Sequence, residues 1–127
     1  MIQEEALRGI LGRIEGTDYK SVSSGVQLME YGFQLQQWMA FSGSQVAECK
    51  EAVHKARRQA MVNLVASLKA NGASLSPSLQ KDYVNDLCGK EIMLYELAGR
   101  VNATCTHSLD FIRTCISLLK AEMQQTQ

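Results

Sequence analysis

Apolar residues in the last third of the chain return every three or four positions: Leu94, Leu97, Val101, Cys105, Leu109, Ile112, Ile116, Leu119 and Met123. That is the period of one continuous helix face, and no Pro interrupts it. The predicted helix takes in residues 77–123, with Ser76 as its N-cap and Pro77 at its first position. A notch is expected at Cys88 and Gly89. Upstream, residues 19–71 also lack Pro. Val22, Val26, Met29 and Phe33 mark one stripe there, and Leu28, Tyr31, Leu35 and Trp38 a second. Val46, Cys49, Val53, Ala56, Ala60, Leu64 and Leu68 continue the spacing.

Unbroken, this second helix would approach roughly 75 Å at 1.5 Å per residue. A compact chain of 127 residues would have a radius of gyration of about 14 Å. Either the helix bends at Gly43, which two serines flank, or the molecule is extended and completes its core with other copies. Extension with self-association is the favoured reading. Asn71 and Gly72 tolerate the left-handed conformation and end the helix. Residues 1–16 form a short amphipathic segment weakened by Gly9 and Gly12, which needs a surface to dock on. Thr17 or Asp18 can cap the long helix after it. The expected architecture is all-α: a short N-terminal helix and a long antiparallel helical hairpin, one elongated domain that oligomerises.

Charge narrows the functional classes. Thirteen basic residues balance thirteen acidic ones, so a globally basic nucleic-acid binder is excluded and any anion site must be a local patch. No run of 18 apolar residues exists to span a membrane. The acidic start, Glu4 and Glu5, lacks the pattern of a secretion signal, so a cytoplasmic location is expected.

Candidate chemistry is sparse. Cys49, Cys88, Cys105 and Cys115 contain no C-x-x-C pair, and neither His54 nor His107 completes a zinc spacing. Buried structural thiols are expected, with no metal and no cofactor. Cys105 and His107 sit two apart on a helix and point in different directions. No glycine-rich phosphate loop, nucleophile elbow or H-E-x-x-H motif is present. The expectation is a protein without catalytic activity.

Local charge says more. Residues 44–70 hold five bases, Lys50, Lys55, Arg57, Arg58 and Lys69, against Glu48 and Glu51. Lys50, His54 and Arg57 share a face, with Lys55 and Arg58 beside them. Arg113 and Lys120 make a thinner basic edge on the last helix. Tyr31, Phe33, Trp38 and Phe41 form a dense aromatic cluster upstream. Basic groups near aromatics are what single-stranded nucleic acid binding uses. The same bases on a helix are, as a rule, a solvated face, and aromatics at helical spacing are a core.

The order of these features resembles the small helical phage proteins related to the UvsY recombination mediator of T-even phages. An N-terminal amphipathic segment ends at Asp18, and a long helix carries Tyr31 and Trp38. Ser42 to Ser44 precede the basic run with Lys55-Ala56-Arg57. The final helix holds Asn102-Ala103-Thr104, Leu109-Asp110-Phe111-Ile112-Arg113-Thr114 and Lys120. The resemblance implies a ring-like homo-oligomer that binds single-stranded DNA and helps a RecA-like recombinase displace single-strand-binding protein. It implies phosphate contacts from Lys50, Lys55, Arg57 and Arg58, with Arg113 and Lys120 secondary. Trp38, Leu109, Ile112, Ile116 and Leu119 would serve core or subunit packing. The rival expectation is a helical protein-interaction adaptor, such as a virion-assembly factor or a host-enzyme inhibitor, that binds no nucleic acid.

Overall fold

The computed structural model describes residues 1–125. It is all-helical, with no strand among the described residues. Helix α1 spans Glu4–Glu15, α2 Gly25–Ala70, α3 Pro77–Leu87 and α4 Gly89–Gln125; a single 3-10 turn, Tyr19–Ser21, joins α1 to α2. With 46 residues, α2 is about 69 Å long. Its helical structure passes through Gly43 without interruption.

The apolar pattern alone would start the second helix at residue 19; it begins at Gly25. Asp18 accepts hydrogen bonds from the Lys20 amide at 3.2 Å and from Ser21 Oγ at 2.6 Å, which closes a separate turn. Val22 is then extended, and Ser24 caps α2 by accepting from the Gln27 amide. At the far end Gly72 has φ +60°. Its amide donates to the Lys69 carbonyl and that of Ala73 to the Leu68 carbonyl. This pair of reversed bonds is a Schellman motif and satisfies carbonyls the helix end would otherwise orphan.

The segment expected as one notched helix over residues 77–123 is two helices, and the break falls at the notch, Cys88 and Gly89. Cys88 leaves helical geometry at φ −98°, ψ 18°, and α4 starts afresh at Gly89. Breaking there lets Val84 and Cys88 turn onto Leu64 of α2, and the three form a small second core.

The main core lies between α1, α2 and α4. Leu7, Ile10 and Ile14 of α1, Leu28 and Leu35 of α2, and Leu97, Val101, Cys105, Leu109 and Ile112 of α4 are all buried in it. Residue numbers along α4 fall as those along α2 rise. A Cβ on Gly25 would stand 3.1 Å from Leu119, and one on Gly32 3.6 Å from Ile112. Asn102 bonds to Met39 and Ser42, and Val53 faces Ile92 and Tyr95. Of the two stripes on α2, the one with Leu28 and Leu35 turns inward. Val26, Met29 and Phe33 face solvent.

Candidate nucleic-acid interface

The basic run sits on the second half of α2, where α3 turns into α4. Lys50, Lys55, Arg57 and Arg58 are exposed, and none enters an ion pair among the described residues. Arg57 donates from Nε to Asn85 Oδ1 of α3 at 3.1 Å. It stands between two grooves. On one side Arg57, Val53, Ile92, Tyr95, Glu96 and Gly99 line about 330 Å³. On the other, Arg57, Arg58 and Met61 of α2 meet Lys81, Val84 and Asn85 of α3 around about 450 Å³.

The second groove holds three cations and no carboxylate in its lining. Asp82 and Asp86 are exposed on α3 but do not line it. Lys81 is the group sequence reasoning missed. It lies four residues before Asn85, so both share one face of α3, but only the break at Cys88 aims that face at Arg57. Met61 continues the groove into a shallow apolar surface of Val62, Val65 and Ala66 that ends at Lys69.

The secondary candidates lie elsewhere. Arg113 lines a cleft with Gly32 and Phe33 and pairs with Asp110 at 3.6 Å. Gly32 is 25 residues, about 37 Å of helix, from Arg57. Lys120 is next to Leu119, which meets Gly25. The structure therefore does not bring Arg113 or Lys120 to the basic run.

The aromatic cluster is not gathered beside the bases either. Tyr31, Trp38 and Phe41 pack against the main core, with Tyr31 edge-on to Tyr19 at 5.2 Å. Only Phe33 of that set is exposed. Leu109 and Ile112 are buried within the chain, whereas Ile116 and Leu119 are half-buried at its margin.

Other titratable groups lie around a cleft at the turn before α2 or in the core. His107 is exposed and lines a cleft of about 540 Å³ with Glu15, Asp18, Tyr19, Lys20 and Phe111. Glu15 is held by Arg100 at 3.4 Å and Asp18 by its own turn. Cys105 is fully buried, and burial pushes its thiol above the ordinary value, as it does that of Cys49. Burial likewise raises Tyr19. Among the described residues, no three His, Cys, Asp or Glu side chains are grouped to hold a metal ion, and no helix is long and apolar enough to cross a membrane.

Searches with protein-family models, among curated proteins and among solved structures return no match to this chain.

Proposed function

We propose that this chain is a non-enzymatic, oligomeric accessory protein that binds single-stranded DNA, in the manner of the recombination mediators it resembles. On this reading it is an elongated antiparallel hairpin that assists a RecA-type recombinase in the cytoplasm. The supporting observation is the convergence of Arg57, Arg58 and Lys81 on one groove without a carboxylate in its lining. Exposed guanidinium groups with no ion-pair partner are free to take phosphate oxygens, and Arg does so in bidentate fashion. Asn85 steadies Arg57 at the groove edge. Three such contacts per chain are weak alone; summed over several linked copies, each acts at high effective concentration. The protein then works as a scaffold for the strand.

The test is binding of a fluorescent single-stranded oligonucleotide at about 50 and 200 mM salt. Three phosphates neutralised by one chain give a log–log slope near −2, a fall of about twentyfold over that range, and each further chain on the same strand steepens it. Arg57→Ala with Arg58→Ala should flatten the slope while the oligomer persists. Unchanged affinity and slope in that folded variant would refute the assignment.

One observation favours a protein-interaction adaptor instead. Val62 is 63% exposed beside Met61, Val65 and Ala66, more apolar surface than phosphate contact requires. Affinity for a protein partner that is indifferent to salt, with no oligonucleotide binding, would select that reading.

A further inference from the structure

We propose that a second copy of this chain docks in the groove between the first half of α2 and the second half of α4, through a two-fold contact centred on Phe33. The proposal rests on the oligomeric part of the proposed function and is independent of its DNA-binding part.

Val26, Met29 and Phe33 are 70%, 51% and 60% exposed and succeed one another at intervals of three and four, so they form one stripe. Among the described residues, α2 and α4 alone line the cleft on that flank. The α1 helix reaches α4 near Met93 and Arg100, and the turn carrying Tyr19 covers Tyr31. Beside the stripe lies a cleft of about 170 Å³ lined by Met29, Gly32, Phe33 and Gln36 of α2 and by Leu109, Ile112, Arg113 and Ile116 of α4.

Each set of four is spaced i, i+3, i+4, i+7. Four residues in that arrangement frame the hole that receives a side-chain knob from a facing helix. Gly32 adds no side chain, which leaves the hole open. An apolar cavity of about 150 Å³ takes a benzene molecule, so this cleft has room for a phenyl ring. Phe33 is thus a knob beside a hole. Two copies related by a two-fold axis each insert Phe33 into the other, the self-complementary contact an isologous dimer needs. Two helices from each copy then make a four-helix layer.

Charge points to the same occupant. Residues 22–47 contain one charged residue, Glu30. On α4, Arg113 is paired with Asp110 at 3.6 Å, and Lys120 is the next base after it. Glu30 and Lys120 are exposed and outside the ion pairs of the described residues. A two-fold contact offers Glu30 on α2 of one copy an opposite charge, Lys120, on α4 of the other. The flanking residues Gln27, Gln34, Gln36 and Gln37 are neutral and repel nothing. The apolar surface at Val62 and Val65 lacks this property. Arg58 and Lys69 flank it, so two copies paired there would set like charges together.

Sedimentation velocity over a dilution series tests the contact. The full chain is expected to be associated, and Phe33→Glu to weaken association about 30-fold or more, as loss of a central interface anchor does. Phe33 is exposed, so circular dichroism of the variant should match the parent. Glu30→Lys should weaken association too, and Lys120→Glu should restore it. A parent chain that stays monomeric throughout, or a Phe33→Glu variant that assembles like the parent, would overturn the proposal. A monomer that still binds oligonucleotide would sink this contact alone. An assembled protein that binds none would sink the DNA reading alone.

Discussion

Asn102 of α4 donates from Nδ2 to the Met39 carbonyl at 3.0 Å and to Ser42 Oγ at 3.1 Å, both on α2. Ser42 is fully buried and itself donates to the Met39 carbonyl. The three groups thus satisfy one another in the middle of an apolar interface. Asn102→Ala removes the donor that Met39 and Ser42 both accept from, and leaves only their bond to each other. It is expected to cost about 1–3 kcal/mol, read as a lower urea midpoint with little change in slope. Asn102→Leu should not recover the loss, because Ser42 Oγ keeps its bond to Met39 but has lost the donor it accepted from.

Glycines separate by the space around them. Gly72 has φ +60°, so Gly72→Ala should destabilise by about 1–2 kcal/mol. Gly43 and Gly99 lie inside helices. A Cβ on Gly43 would meet Asn102 at an ordinary 3.6 Å, and one on Gly99 meets nothing. Gly43→Ala and Gly99→Ala should each stabilise by about 0.5–1 kcal/mol. Thermal midpoints of the three variants check both signs.

The thiols report burial. Cys49, Cys88 and Cys105 are buried and Cys115 half-buried. In the folded protein a thiol reagent should modify Cys115 readily and the other three only on unfolding. Folded Cys49 and Cys105 bind their protons more tightly than the unfolded chain does. Stability should therefore be intact below about pH 8.5 and fall as pH rises beyond it, as the unfolded thiols ionise first. Urea midpoints on either side of that pH test the direction. Tyr19, also raised, steepens the loss above about pH 10.

Lys81 separates the groove from the distant basic edge. Lys81→Ala should weaken oligonucleotide binding and reduce the single-strand salt slope by about 0.7. With the chain held fully associated, Lys120→Ala should change neither, because Lys120 lies beside the other end of α2. Equal effects from the two would mean that the groove is not the site.

Much of the fold was legible because α4 carries one stripe and one only. From Leu94 to Ile112 every member of that stripe is buried. The α2 helix offers two stripes of similar chemistry, and periodicity could not say which turns inward. That choice is made where α4 comes close, at Gly25 and Gly32, a tertiary fact. The start of α2 was misplaced because Asp18 and Ser24 are both good caps, and burial of Tyr19 decides between them. Arg57 and Arg58 were visible as a charge run. Their companion Lys81 was not, since its position depends on how far α3 swings away from α4 at Cys88.

The two cores differ in how much chain they enclose. The bond from Arg57 to Asn85 spans 28 residues, whereas that from Arg100 to Glu15 spans 85. Closing the longer loop costs about 1 kcal/mol more in chain entropy. The cluster of Leu64, Val84 and Cys88 should therefore assemble early, as a local nucleus at the turn. The α1 helix, whose partners are the most remote in the chain, is captured last. It is also the first to let go, so its amides should exchange with solvent well ahead of those in the middle of α4.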